Sequence, residues 1–173
     1  MDEYELENLL EINFQNRNIH FFCKYGLLNP IINLVQNGVD KNEQDNNGIT
    51  PLAVAASHGH LNVVQYLTSQ GADKERQDIM GMTPLFVAAM EGHSEIIAYL
   101  VDQGADINKQ NNHDETPMFV AAFYGHLNVV QTLVEKGADI ALASNDTSPA
   151  LIAAYTDHYE VVFYLFGIAM SRM

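Results

Sequence analysis

The sequence predicts an all-α chain: a solenoid of stacked helix-turn-helix pairs with β-turn fingers between them. Three observations carry that expectation. TPLAVAASHGH at 50 recurs as TPLFVAAMEGH at 83 and TPMFVAAFYGH at 116, so Thr50, Thr83 and Thr116 stand 33 residues apart. Each copy opens with residues that start a helix and ends near a glycine that stops one. The helices so bounded are shorter than the roughly 12 to 15 residues at which an isolated helix becomes marginal in water, so neighbouring repeats must stabilise them.

The period runs further than the string. Gly59, Gly92 and Gly125 recur at the same offsets, as do His60, His93, His126 and the GAD triplets at 71, 104 and 137. Ser148 follows Thr116 at 32, a deletion of one residue that also places His158. GVD at 38 lies 33 before the first GAD, so a degenerate repeat precedes the clear ones.

Each repeat is predicted to begin with a capped helix. The hydroxyls of Thr50, Thr83, Thr116 and Ser148 can accept from an unpaired amide of the first turn, a contribution of about 1 kcal/mol per cap. Pro51, Pro84, Pro117 and Pro149 then fill the first helical position, where the missing amide costs nothing. The chain turns at Gly59, Gly92 and Gly125 into a second helix such as LNVVQYLTSQG at 61–71, with Leu61, Val64 and Leu67 on one stripe and Val63 and Tyr66 on another. Ala pairs at 55–56, 88–89, 121–122 and 153–154 let successive first helices approach closely. The polar links, such as GADKERQDIMGMTP at 71–84, read as projecting β-turns; Asp114 and Asp146 replace the turn glycine there and tolerate left-handed geometry.

Composition narrows the function classes. The chain has 173 residues, 47% of them hydrophobic, and a formal charge of −14. That charge opposes phosphate backbones and anionic lipid, which are bound through Lys and Arg, so neither nucleic acid nor membrane is expected as a partner. Cys23 is the single cysteine, which fits a reducing, cytoplasmic setting and reads as a small buried apolar residue. MDEYELENLL lacks the cationic and apolar regions of a secretory signal. VVFYLFGIAM at 161–170 is half the length needed to span a bilayer.

No catalytic or metal constellation is evident. His60, His93, His126 and His158 recur once per repeat and would lie about 10 Å apart in a stack, whereas Zn²⁺ needs its ligands about 2 Å from its centre. They read as structural turn residues. Neither His58 with His60, nor His113 with Asp114 and Glu115, supplies three converging ligands. Neither a nucleophile elbow nor a phosphate-binding glycine loop is present. No catalytic residue, metal ligand or cofactor is therefore expected.

The spaced D-x-x-G-x-TPL, AA, GH and GAD elements at 45–73 and 78–106, relaxed at 111–139, closely resemble the ankyrin repeat family. The resemblance covers residues 17–173: a degenerate repeat at 17–44, repeats at 45–77, 78–110 and 111–142, and a terminal repeat at 143–173. Phe21, Phe22, Cys23, Pro30 and Leu34 give the degenerate repeat the look of an N-terminal cap. Ahead of it, residues 1–16 are predicted to form a capping helix, with Asp2 and Glu5 spaced as a capping box. The family usually carries His after TPL; here Ala53, Phe86, Phe119 and Leu151 stand instead, which removes a polar contact to the cap Thr. Asn108 in YLVDQGADIN is similar in context to ankyrin asparagines that are hydroxylated in animals, set against a plain solvent-facing turn residue.

What the resemblance implies about function is protein recognition on the concave side formed by finger tips and first helices. Carried over by repeat position, the family's contact sites fall on Asn46, Asn47, Ile49, Ser57 and His58, then on Ile79, Met80, Met82, Met90 and Glu91. They continue on Asn112, His113, Glu115, Phe123 and Tyr124, and then on Asn145, Thr147, Tyr155 and Thr156. Ile49, Ile79, Met80, Met82, Met90, Phe123, Tyr124 and Tyr155 make this stripe apolar, and Met and aromatic residues are enriched at interface centres. Some of them could instead pack on neighbouring fingers. Glu91, Asp114 and Glu115 favour a partner protein with apolar anchors and a basic rim.

The last repeat departs from the pattern. Phe163 stands where earlier second helices have Gln65 or Gln131, and terminal repeats normally present a polar outer face. Phe163 and Phe166 therefore suggest a next repeat of a longer chain, a homodimer through the C-terminal helix, or a docked partner. The expected function is a non-catalytic interaction module, an adaptor, scaffold or inhibitor; the alternative is the targeting segment of a larger enzyme or translocated effector.

Overall fold

The computed structural model describes residues 18–144 and 146–171. The capping helix expected over 1–16 and the candidate Asn145 lie outside them. The described residues form five helix pairs: α1 (Ile19–Lys24) with α2 (Leu28–Gln36), α3 (Pro51–Ser57) with α4 (Leu61–Ser69), α5 (Pro84–Met90) with α6 (Ser94–Asp102), α7 (Pro117–Phe123) with α8 (Leu127–Glu135), and α9 (Pro149–Tyr155) with α10 (Tyr159–Ser171).

The first helices start as their sequence dictates. The hydroxyls of Thr50, Thr83, Thr116 and Ser148 accept from the amides of Ala53, Phe86, Phe119 and Leu151 at 3.1–3.2 Å, with Pro next in line. Asn18 does the same for α1, accepting from Phe21. Loss of the family's His after TPL leaves these caps intact, because the hydroxyl needs no second partner to accept the amide.

Stacking supplies the core. Each first helix packs on the next first helix and on its own second helix. Ala55, Ala56, Ala88, Ala89, Ala121 and Ala122 are fully buried between the first helices, where a larger side chain would push the backbones apart. Val63, Val64, Leu67 and their counterparts Ile96, Ile97, Leu100, Val129, Val130 and Leu133 fill the second layer. At about 25 cal/mol per Å² of apolar surface removed from water, this shared burial is the main stabilising term.

The recurring histidines join one repeat to the next. Nε2 of His60, His93 and His126 bonds the carbonyls of Lys24, Ser57 and Met90 at 2.9–3.1 Å. Those carbonyls belong to the last residues of α1, α3 and α5, where a helix leaves its oxygens without intrahelical donors. The ring also rests on the preceding turn glycine: a Cβ on Gly59, where φ is +76°, would come 2.8 Å from His93 Cε1. That turn in the last pair is made by Asp157, at φ 61°, while Asp114 and Asp146 take positive φ in the fingers as the sequence predicts.

The fingers are hydrogen-bonded turns rather than strands. Asp45 and Asp78 each accept two amides of their own turn through Oδ1, and Asn111 does likewise. Neighbouring fingers are tied together, Ile79 N donating to Asn47 O and Asn112 N to Met80 O, both at 3.0 Å. A row of glutamines lies beneath: Nε2 of Gln44 and of Gln77 donates to its own turn and to the carbonyl of the next glutamine. Asn108 Oδ1 accepts from Asp139 N at 3.0 Å, so this side chain ties one outer loop to the next.

The last described helix pair shows an apolar face. Leu151 is 42% exposed, whereas its counterparts Phe86 and Phe119, covered by a following repeat, are at 2% and 7%. In α10, Val161 and Leu165 are buried against the stack, while Phe163 is 74% exposed and Phe166 and Met170 are exposed beside it.

Candidate functional site

One groove on the finger and inner-helix side gathers much of the predicted stripe. It lies between the third and fourth helix pairs and holds about 240 Å³. Its walls take Met80 and Met82 from one finger, His113 and Glu115 from the next, Met90 from the end of α5, and Phe123 and Tyr124 from the end of α7. The periodic scaffold brings them together: residues 33 apart occupy equivalent places in adjacent repeats, and the finger-to-finger bonds fix Met80 against Asn112.

The other expected residues sit outside this lining. Ile49 is half-buried and packs on the core, and His58 is exposed, its Nδ1 bonded to Ser57 Oγ at 2.8 Å. Ile79, 63% exposed, and Glu91 face solvent on the same repeat as Met80. Tyr155, 73% exposed, belongs to the last pair. Met82 and Met90 are only half-buried by the core they pack against, so they form the groove's wall rather than free anchors.

Four lining residues escaped the position-by-position carry-over. Phe86, Phe119 and Val120 form the buried part of the groove, and Asn111 lies beside Glu115. The signal was present: two phenylalanines 33 apart replace the family's histidine in adjacent repeats, and the series Asp45, Asp78 breaks to Asn111. The consequence is chemical. Asn111 Oδ1 accepts the amides of His113 and Glu115, and its Nδ2 donates to Glu115 Oε2 at 2.7 Å. An aspartate could not make that last bond. Phe123 and Tyr124 stand edge to face, their ring centres 5.0 Å apart, and Tyr124 stacks on His126.

Among the described residues, no three His, Cys, Asp or Glu side chains converge as a metal site. Cys23 is fully buried, and desolvation pushes its thiol up to about 12, far from a reactive thiolate. Among the described residues no helix is long and apolar enough to cross a membrane.

The chain matches the family model for ankyrin repeats, three copies, over residues 19–111 and again over 108–172. It belongs to the ankyrin repeat family, and its fold is the all-α repeat solenoid that the sequence predicts. Among curated proteins, none matches the chain. Ankyrin repeats are in general protein–protein interaction modules, and such domains are typically non-catalytic.

Proposed function

We propose that this protein is a non-catalytic cytoplasmic adaptor, scaffold or inhibitor that holds a partner protein on its finger and inner-helix side, centred on the groove between the third and fourth helix pairs. The observation that carries this reading is the convergence of Met80, Met82, Met90, Phe123 and Tyr124 on one concavity with the Glu115 carboxylate among them. Single exposed apolar side chains are ordinary on a protein surface, but a contiguous set with a buried floor marks a place where another surface docks. Methionine's flexible thioether adapts to a partner, and paired aromatic rings supply area at small entropic cost. Ile79, Glu91, His58 and Tyr155 lie beyond the groove as the rim of the same side, where contacts add complementarity more than affinity.

The test replaces Met80, Phe123 and Tyr124 together by Ser, sparing the half-buried methionines. Proteins crosslinked to the wild-type chain in its native cell and identified by mass spectrometry should be lost from the triple variant while its circular dichroism is unchanged. Retention of the same proteins would refute this location.

The uncovered C-terminal face favours a second contact, a homodimer through α10. Phe163 and Phe166 are exposed on a helix whose counterparts are covered by a following repeat, and two such faces could cover each other. Light scattering on the isolated chain should then give twice the monomer mass, falling to one with Phe163→Glu and Phe166→Glu; a wild-type monomer removes this contact.

A further inference from the structure

Glu115 is held unlike the other acidic side chains on the finger side. Its Oε2 is fixed by Asn111 Nδ2, and Asn111 is itself buried with its Oδ1 occupied by two amides. The equivalent positions in the two preceding fingers carry Ile49 and Met82, each beside an aspartate that has no donor to give. Among the described residues, only the third finger combines a carboxylate in the groove wall with the amide that orients it. The second oxygen of Glu115 has no partner among the described residues, and no Lys or Arg lines the groove.

A carboxylate that lines a groove together with methionine and aromatic side chains is a recognition element for a cation. Partial withdrawal from water strengthens its attraction to an incoming positive charge, and the chain's charge of −14 steers basic partners toward it. The surroundings choose among cations. Phe123 and Tyr124 offer ring faces and edges, and the thioethers of Met80, Met82 and Met90 offer an apolar track. An arginine matches all three: its methylene stem lies on apolar surface, its planar guanidinium stacks on aromatic rings, and its forked N–H groups reach a carboxylate. A lysine ammonium, compact and more strongly hydrated, matches the rings less well.

We infer that the groove is an arginine-accepting subsite, in which Glu115, oriented by Asn111, binds the guanidinium of an arginine on the partner protein. This rests on the reading of the groove as the docking site, and adds the chemistry of the residue that enters it.

A random displayed peptide library selected on the full chain tests both, with the best binder resynthesised for fluorescence anisotropy. The selected peptides should share an arginine next to apolar residues. Glu115→Gln keeps an oxygen for Asn111 to donate to and so preserves the finger, yet should weaken the peptide about tenfold. Replacing the peptide's arginine by neutral, isosteric citrulline should weaken it equally, and combining the two changes should add little, as expected for directly coupled partners. Replacement by lysine should weaken it less. Peptides without a basic residue, or undiminished binding by Glu115→Gln, overturn the arginine assignment if the Met80, Phe123 and Tyr124 triple variant still loses the peptide. Peptides that bind the triple variant as tightly as wild type overturn the groove itself, and a selection that enriches nothing overturns both.

Discussion

Substituting alanine at Gly59 and at Gly104 separates two roles that glycine plays in this stack. Both take positive φ, +76° and +82°, but Gly59 lies under the His93 ring whereas nothing approaches within 4 Å of a Cβ at Gly104. At Gly104 the loss is the left-handed backbone alone, about 1–2 kcal/mol. Reduced freedom of the unfolded chain offsets about 0.4–1 kcal/mol of that, leaving a net loss near 1 kcal/mol. At Gly59 the new methyl would meet His93 Cε1 at 2.8 Å and Nδ1 at 3.0 Å, so the ring must move and its bond to Ser57 O must lengthen. Losing that bond adds about 1 kcal/mol and displaced packing about 1–2 kcal/mol more, for a total near 3–4 kcal/mol. Urea unfolding followed by circular dichroism should show Gly59→Ala losing about 2–3 kcal/mol more than Gly104→Ala. Equal losses would refute the claim that the histidine row links the repeats through the turn glycines.

Three further outcomes follow from the same geometry. Thr83→Ala should cost about 1 kcal/mol and Thr83→Ser little, since only the hydroxyl that accepts from Phe86 N is at stake; urea midpoints measure both. The Cys23 thiol keeps its proton up to about 12 in the fold but releases it near 9.0 when unfolded, so its contribution is intact below pH 9 and lost as pH rises toward 12, by about 1.4 kcal/mol per pH unit. The difference in stability between wild type and Cys23→Ala should be flat from pH 8 to 9 and then fall with that slope up to pH 11. Asn111→Asp should destabilise the third finger by about 1 kcal/mol, because it removes the donor to Glu115 Oε2 and sets two carboxylates together. Most of that loss should vanish when Glu115 is Gln, which a double-mutant cycle on urea midpoints reads directly.

Much of the fold is local in origin, and for that reason legible. A Thr followed by Pro starts a helix through hydrogen bonds and a fixed φ within four residues, and Asp114 and Asp146 announced left-handed turns by standing at glycine positions. Repetition at 33 then converts local elements into an architecture, since a helix of seven or nine residues cannot stand alone. The part of the candidate site on the finger tips was legible too, because repeat position determines which side of the stack a residue faces. Asp157, at the turn position held elsewhere by Gly59, Gly92 and Gly125, could have been read from the same alignment once the deletion was placed.

The sequence by itself determined the helices, their caps, the order of the stack and the side on which Met80, Phe123 and Tyr124 emerge, because each follows from chemistry within one repeat or from its period. Only the tertiary structure decided which of those side chains meet. Met82 and Met90 lean on the core, Ile49 and Tyr155 stand apart, and Phe86, Phe119 and Asn111 join the groove from positions chosen for packing and turn geometry. The reason is that a groove between repeats is made of distances between residues about one period apart in sequence, and those distances are settled by how closely one helix pair lies on the next.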